Sequence, residues 1–375
     1  MHKAYRLLAA LILTGCSSAA APGSGGGGGN PLPIPSAIFY VNLGTTTANN
    51  SVAAFSTAPV AGGGTPSALT GSPYNTTGSS SVGSPFGIAF KPGRGFLYAV
   101  NDTGTVSAFT VNADGTLATL GSAVSTGGTG ASGIALNPAG TFAAAANSVN
   151  NTVQMFSVAV NGTLAAVGSP VGTGGLNAPA AVAFSQDGAH LYVSNNGGSG
   201  GVSGFNVSIL GALTAISGSP FASGGAATQG IVVSPNGSTV YAADQDTSKI
   251  AALAIAGDGS LSSQGTVSTA TAPIGIALNA AGTILYVAAA ASNAVDVFTV
   301  SGSSMSHLAG PYATQSTKTA MVSLDGSGKL LVALDELSFG ATLFAVRPDG
   351  TLNGAPAPSY SIGTNSGHPA AVLAR

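Results

Sequence analysis

Charged residues are scarce in this chain of 375 residues, and their scarcity removes several classes of function. Only 5% of the residues are charged, and nine Lys and Arg stand against eleven Asp and Glu. A typical soluble domain has about 25% charged residues. The chain has no basic patch to neutralise phosphates, which argues against a nucleic-acid partner. Tryptophan is absent and aromatic residues make up only 6%, which disfavours sugar recognition by stacking.

The single cysteine, Cys16, excludes internal disulfides. Its neighbours give it another role. Lys3 and Arg6 form a positive region, residues 7–13 form an apolar stretch too short to span a bilayer, and the sequence Leu-Thr-Gly-Cys follows at once. This segment resembles the lipobox of bacterial lipoproteins, in which the cysteine receives a diacylglyceryl group and becomes the mature N-terminus. We therefore predict lipidation at Cys16 and a membrane anchor.

The predicted signal peptide covers residues 1–15, and residues 16–36 form the lipidated cysteine and a linker. The linker consists mainly of Ala, Gly, Ser and Pro, with five consecutive glycines at 25–29, and this composition is typical of a flexible tether. Ser17 after the cysteine, in place of Asp, resembles outer-membrane sorting in Gram-negative bacteria. The sequence therefore predicts an exported protein held in the cell envelope, with its folded domain at 37–375.

An apolar strand that ends in a Pro/Gly turn recurs through the folded domain. Its central Ile or Val lies at positions 88, 134, 182, 231, 276 and 322, with spacings of 45 to 49 residues. This spacing is the period of a propeller blade. A second strand such as Leu191-Tyr192-Val193-Ser194-Asn195, a third strand, a Gly turn and a fourth strand follow in constant order. Helix formers are scarce while Val, Thr and Gly are frequent, so the chain is predicted to be all-β.

The two ends of the domain share one blade. The domain begins with Ile38-Phe39-Tyr40-Val41-Asn42 as a second strand and ends with residues 368–373 as a first strand. Six whole units and this shared unit predict a seven-bladed β-propeller with four antiparallel strands per blade, closed by the C-terminal strand against the N-terminal blade. Because closure leaves no sheet edge exposed, a monomer is expected.

The repeat, with Tyr192-Val193-Ser194-Asn195 as its best instance, resembles the seven-bladed lactonase-like propellers. That family includes propeller-type 6-phosphogluconolactonases, carboxymuconate-cyclising enzymes and repeat proteins of unknown activity. The resemblance covers about residues 37–375 and is specific for fold, because the motif residues build strands and turns. The third and sixth units depart from it, with Phe142-Ala143-Ala144-Ala145-Ala146-Asn147 and Tyr286-Val287-Ala288-Ala289.

In a propeller the first strand of each blade lines the central channel. The loops that enter the first strands and those that join second to third strands therefore surround one mouth of the channel. Nine charged residues fall in hairpin turns on the opposite face, where they are expected to form turns and solvate the surface: Lys91, Arg94, Asp114, Asp187, Asp258, Asp325, Lys329, Arg347 and Asp349. Eight polar residues are predicted near the mouth: Asp102, Gln229, Asp244, Asp246, Lys318, Asp335, Glu336 and His368.

Four of these residues belong to the last unit and the closing blade beside it, so we expect them to converge. In a lactonase, His368 would act as general base toward water and Lys318 would stabilise the oxyanion, while Asp335 or Glu336 would orient the imidazole. The alternative is that all four residues solvate loops or join one loop to another. Asp102, Gln229, Asp244 and Asp246 are the candidate ligand-binding residues.

The sequence predicts no cofactor and no metal site. Asp244 and Asp246 are spaced so that both could face one cation, with Asn or backbone oxygens completing a Ca²⁺ site. Two carboxylates without a loop signature are weak evidence for such a site.

Two functions fit these observations. One is a binding module at the cell envelope for a small molecule or an envelope protein, without turnover. The other is a lactone hydrolase of the kind that the family resemblance implies, acting through the polar cluster at the channel mouth. A purely structural envelope protein is a third reading that the sequence does not separate from the first.

Overall fold

The computed structural model describes residues 37–45, 49–57, 66–79, 86–93, 95–175, 178–315, 317–338, 340–353, 360–361 and 367–374. The signal peptide, Cys16 and the linker lie outside these residues. The described residues form strands and turns, and among them there is no helix with the length and hydropathy needed to cross a membrane.

The strands group into seven antiparallel sheets, which are the blades. Blade 1 holds β1 (Ala37–Thr45), β2 (Asn49–Thr57), β3 (Ser67–Ala68) and β4 (Tyr74–Ser79). Blade 2 holds β5 (Ile88–Phe90), β6 (Phe96–Asn101), β7 (Thr105–Val111), β8 (Leu117–Thr119) and β9 (Val124–Ser125). Blade 3 holds β10 (Ala131–Leu136), β11 (Phe142–Asn147), β12 (Thr152–Val158) and β13 (Leu164–Gly172). Blade 4 holds β14 (Pro179–Phe184), β15 (His190–Asn195), β16 (Val202–Val207) and β17 (Leu213–Ala215).

The remaining blades follow the same order. Blade 5 holds β18 (Thr228–Val233), β19 (Thr239–Asp244), β20 (Lys249–Ile255) and β21 (Leu261–Ser268). Blade 6 holds β22 (Pro273–Leu278), β23 (Ile284–Ala289), β24 (Ala294–Ser301) and β25 (Ser304–Ala313). Blade 7 holds β26 (Thr319–Leu324), β27 (Leu330–Asp335), β28 (Gly340–Ala345) and β29 (Tyr360–Ser361). The last strand, β30 (Gly367–Ala374), pairs with β1 and is the first strand of blade 1. The predicted fold, an all-β propeller of seven blades, is confirmed.

Burial changes regularly from the second strand of a blade to the fourth. Second strands such as β19 are buried along their whole length, because both faces of the blade pack against neighbouring blades. Fourth strands such as β21 are mostly exposed. This gradient explains why second strands read as continuous apolar runs, whereas fourth strands are rich in Ser, Thr and Gly.

The core of the described residues is divided into seven hydrophobic clusters, and each cluster joins neighbouring blades. One of them joins the two ends of the ring, since Phe39 and Val41 of blade 1 pack with Val332 and Leu343 of blade 7. Apolar packing between blades therefore stabilises the fold, in addition to the hydrogen bonds within each blade.

A tyrosine in the second strand connects each of five blades to the next blade. The hydroxyl donates to the carbonyl of the glycine in the next blade's turn between its third and fourth strands. The pairs are Tyr40 with Gly115 at 2.7 Å, Tyr98 with Gly162 at 2.8 Å, Tyr192 with Gly259 at 2.9 Å, Tyr286 with Gly350 at 2.8 Å, and Tyr241 with Gly302. In blade 3 the tyrosine is replaced by Ala144, and Phe142 instead lies against Gly211 of blade 4.

The first strands approach one another so closely that their glycines have no room for a side chain. A Cβ on Gly230 would lie 2.4 Å from the carbonyl oxygen of Ile274, and one on Gly275 would lie 2.7 Å from that of Ala320. Glycine is therefore required at these two positions of the inner wall, whereas blades 4 and 7 have Ala181 and Met321 at the corresponding position.

Candidate functional site at the channel mouth

A ring of residues with positive φ surrounds the mouth. The residue before each first strand has left-handed backbone in the five blades where the position is described: Gly130, Ala178, Ala227, Ala272 and Lys318, with φ from 54° to 69°. Four of these residues have no side chain or only a methyl group. Lys318 alone places a long charged side chain there, at a backbone conformation that is unfavourable for a residue with a Cβ.

The preceding blade holds this conformation in place. A polar side chain in the loop between its second and third strands accepts the N–H of the ring residue in the next blade. Asn151 Oδ1 accepts Ala178 N at 2.8 Å, Ser248 Oγ accepts Ala272 N at 3.2 Å, and Asn293 Oδ1 accepts Lys318 N at 2.6 Å. The backbone of Lys318 is therefore fixed by Asn293 of blade 6.

Lys318 and Glu336 are brought together by the structure. The Lys318 ammonium lies 2.8 Å from Glu336 Oε2, and the backbone N–H of Glu336 donates to the Lys318 carbonyl at 2.9 Å. The side chains are 37% and 16% exposed, so a molecule in the mouth can reach both. An ammonium group has three protons to donate, and this ion pair uses one of them.

Asp335 precedes Glu336 in the chain but points into the blade. It is the last residue of β27, is fully buried, and accepts hydrogen bonds from Thr319 at 2.7 Å and Thr342 at 3.2 Å. The corresponding strand-end position in other blades holds Asn101, Asn147, Asn195 and Asp244, which are all fully buried. Asp335 thus occupies a recurring structural position below the Lys318–Glu336 pair.

His368 lies in β30, where its backbone is opposite Gly44 of β1. Its side chain lies outside the described part of the chain. Strand β30 packs beside β26 and β27 of blade 7, so the backbone position of His368 is on the side of the ring that carries Lys318 and Glu336.

The structure separates the two carboxylates of the Asp244 and Asp246 pair. Asp244 is fully buried, and its Oδ1 accepts the hydroxyls of Ser223 at 2.8 Å and Thr228 at 2.7 Å. Its Oδ2 has no hydrogen-bond partner, and burial raises the pKa of this carboxyl. Asp246 is exposed. Within the described ranges, no group of three or more His, Cys, Asp or Glu residues is placed to hold a metal ion.

The two remaining candidates form hydrogen bonds with neighbouring loops. The Gln229 side chain is buried and donates to Gln245 Oε1 at 2.7 Å. Asp102 is half-buried, and its backbone carbonyl accepts the N–H of Gly130 at 2.6 Å. Gln245 and Asn293 were not predicted as site residues. The signal for Asn293 is the recurrence of Asn or Ser directly before a third strand, which is visible only after the blades are aligned.

The matches to known proteins agree with the propeller fold. The chain is similar in structure to a protein from Lactobacillus plantarum, with 21% identity, a TM-score of 0.74, and coverage of 91% of this chain and 100% of that one. It is also similar to a periplasmic gluconolactonase from Pseudomonas aeruginosa, with 18% identity, a TM-score of 0.73, and coverage of 90% and 99%. A candidate 6-phosphogluconolactonase from Bacteroides fragilis has 20% identity, a TM-score of 0.69, and coverage of 91% and 98%.

Comparison with curated proteins finds no match. The structural similarities, all at or below 21% identity, establish the fold only. A family model described as Lactonase, 7-bladed beta-propeller matches residues 68–175 and 210–322, which together are more than half of the chain. The chain therefore belongs to the lactonase family of seven-bladed β-propellers.

Proposed function

We propose that this protein is a lactone hydrolase whose reaction takes place at the channel mouth beside Lys318 and Glu336. One observation carries the proposal. Lys318 has a charged side chain at a left-handed position where the other described blades have Gly or Ala, and it is paired with a partly exposed carboxylate. Unfavourable backbone at a polar, accessible position is typical of functional sites.

The pair has the chemistry that lactone opening requires. Water attacks the lactone carbonyl carbon, and the negative charge that develops on the carbonyl oxygen is stabilised by a free N–H of the Lys318 ammonium. A general base takes the proton of the attacking water. The ring C–O bond then breaks, the leaving alkoxide takes up a proton, and the product is a hydroxycarboxylate.

Two residues are candidates for the general base. Glu336 is already in contact with Lys318 and is accessible from the mouth. His368 is the second candidate, because β30 lies beside the strands that carry the pair. Separate substitutions Glu336→Gln and His368→Ala distinguish them, since loss of the true base lowers kcat about 100-fold or more.

The test is hydrolysis of a panel of simple and phosphorylated sugar lactones by the purified protein. Lys318→Ala is an informative variant, because Ala occupies the same backbone conformation in blades 4, 5 and 6 and should preserve the fold. We expect kcat/KM to fall about 100-fold, the size of effect seen when one oxyanion donor is removed. Lys91→Gln, which changes a cation on the opposite face of the ring, is the control and should leave turnover unchanged. Full activity in Lys318→Ala would refute the proposal.

A binding module without turnover is the second candidate function. It is favoured by the engagement of other mouth side chains in internal hydrogen bonds, as seen for Asp335, Asp244 and Gln229. Calorimetric binding of a lactone that is not hydrolysed, with affinity lost in Lys318→Ala, would support this function over the enzyme.

We further propose that the protein is a lipoprotein anchored through Cys16. Strand β1 begins on the face opposite the mouth, because second strands run toward the mouth. The same face has exposed apolar turn residues in two adjacent blades: Val160, 95% exposed, Ile209, 93%, and Leu210, 77%. The mouth loops also expose Val149, 68%, and Leu337, 57%, so the start of β1 is the main support for an orientation in which the opposite face lies toward the membrane. Cys16→Ser should move the protein from the membrane fraction to the soluble fraction.

A further inference from the structure

The far face of the ring, opposite the mouth, has a cleft between blades 6 and 7. Its volume is about 640 Å³, within the range of small-molecule sites. Its walls are the hairpin turns of the two blades, with an apolar side formed by Ile284, Val346 and Pro348. None of the residues discussed for the mouth lines it.

Two cations line this cleft. They are Lys329 and Arg347, and Val346, the residue before Arg347, donates its backbone N–H to the Lys329 carbonyl at 2.8 Å. Among the described residues, neither cation has a carboxylate within ion-pair distance. Asp349 is the one acid in the lining. Its Oδ1 accepts the N–H and the hydroxyl of Thr351, and the nearby Arg347 contributes to the lowered pKa of its carboxyl without forming an ion pair. In a chain with so few charges, two such cations on one cleft favour an anionic ligand.

Arg347 is held in a fixed position. One of its terminal nitrogens donates to the carbonyl of Leu352, and the other donates to Asn353 Oδ1 at 3.1 Å. These contacts leave other guanidinium N–H groups for a ligand and restrict the side chain before binding, which lowers the entropic cost of association.

The other described blades lack both cations at the corresponding turn positions. The residue before the second strand is Gly95, Thr141, Ala189, Ser238 or Thr283 where blade 7 has Lys329. The residue that opens the turn between third and fourth strands is Asn112, Ala159, Ser208 or Ala256 where blade 7 has Arg347. Turn formation therefore does not require a cation at either position.

We propose that this cleft binds a small organic carboxylate with an apolar body. The carboxylate lies against Lys329 and Arg347, and the apolar body packs on Ile284, Val346 and Pro348. The site is separate from the mouth, so it does not depend on the proposed hydrolase activity.

The test uses 4-hydroxybenzoate and its uncharged amide as probes, with affinity measured by calorimetry on the whole protein. We expect the carboxylate to bind at least tenfold more tightly than the amide. The variants Lys329→Thr and Arg347→Ala, which copy residues found in other blades, should each weaken carboxylate binding about tenfold.

Two controls identify the site. Lys91→Gln changes a cation on the same face in blade 2, and Lys318→Ala changes the cation at the mouth. Both should leave carboxylate binding unchanged. Equal affinity for acid and amide, no binding of the acid at millimolar concentration, or loss of binding only in Lys318→Ala would each overturn the proposal.

Discussion

Tyr192 shows how one side chain of the repeat contributes to the ring. Its hydroxyl is buried and donates to the Gly259 carbonyl of the next blade at 2.9 Å. Burial raises the pKa of Tyr192 well above its usual value, as it raises the pKa of Tyr98 to about 12. The phenol therefore remains a hydrogen-bond donor at all physiological pH values.

Tyr192→Phe should lower the free energy of unfolding by about 1 kcal/mol, because it removes this hydrogen bond and leaves a buried carbonyl without its donor. Denaturant unfolding of both proteins measures the difference. Tyr312→Phe is the control, since Tyr312 lies outside this set of tyrosines, and it should have the smaller effect. Equal stability of Tyr192→Phe and the parent protein would show that the connection between the blades rests on ring packing alone.

Asp244, the last residue of β19, is a buried carboxylate with one oxygen that has no hydrogen-bond partner. Its Oδ2 is buried without a partner, while blades 2, 3 and 4 have Asn at the same position. Because desolvation raises the folded-state pKa of Asp244, ionisation opposes folding, and this cost grows as pH rises above the unfolded-state value of about 4.

Asp244→Asn should therefore stabilise the protein at neutral pH, by on the order of 1 kcal/mol. The gain should shrink as pH falls toward 4, where Asp244 becomes protonated. Thermal unfolding across pH 4 to 8 measures this dependence. A gain that is the same at every pH would mean that charge is not its cause.

For the candidate residues at the mouth, the sequence predicted their approximate location but not their backbone conformation or burial. The place of Lys318 and Glu336 in the last unit predicted their proximity, and the structure shows an ion pair. The sequence does not predict the left-handed backbone of Ala178, Ala227 and Lys318, because Ala and Lys, unlike Gly, do not indicate a positive φ. Asp335 is buried because it is the last residue of β27, which ends one residue later than the sequence predicted.

At the scale of elements, the turns between third and fourth strands use aspartate in a uniform way. Asp114, Asp258 and Asp349 each accept the backbone N–H and the hydroxyl of the residue two positions later. These hydrogen bonds, with the side-chain hydroxyl contributing most, hold the pKa of each carboxyl below its usual range. Blade 3 makes the same turn with Asn161, and blade 4 makes it with the hydroxyl of Ser208.

The triple variant Asp114→Asn, Asp258→Asn and Asp349→Asn should unfold with a weaker dependence on acid pH. Depressed folded-state pKa values contribute stability that is present above pH 4 and is lost as pH falls through those values. The Asn variant keeps the turns, as Asn161 shows, but has no charge to lose. Urea unfolding at pH 2.5 and pH 6 provides the comparison. An identical pH dependence in parent and variant would contradict this role.

The strands and turns were predictable because every blade repeats the same pattern of buried strands and tight turns. Buried second strands appear as apolar runs, and hairpin turns appear as Gly at positions that need positive φ, as at Gly188 and Gly237. The tyrosine contacts between blades were not predictable in the same way, since their partner is a backbone carbonyl of another unit. Ala144 in blade 3 and Val332 in blade 7 occupy the tyrosine position, so two blades do without this contact.

At the scale of the molecule, the ring is closed by one strand. Strand β30 pairs with β1 along seven positions, from Phe39 opposite Ala374 to Thr45 opposite Gly367. Without it, β1 would present a free sheet edge, and blade 1 would lack the strand that meets blade 7 at the channel.

Deletion of residues 367–375 should therefore abolish the monomeric cooperative fold. We expect a broad thermal transition and larger species in analytical ultracentrifugation. Adding the excised segment as a synthetic peptide should restore the sharp transition, which separates loss of closure from general damage. A truncated chain with unchanged Tm would show that closure is dispensable.

Because β30 follows all other strands of the domain in the chain, β1 is synthesised long before the strand with which it pairs. The chain is made from its N-terminus, so β1 is among the first strands of the domain to be synthesised and its partner is the last. During the whole interval, β1 has an unpaired edge while six other blades are added. Pairing across more than 300 residues of sequence is slow, because the entropy of closing so long a loop must be overcome before any contact forms. The domain is thus most exposed to aggregation and proteolysis in the interval before β30 pairs with β1.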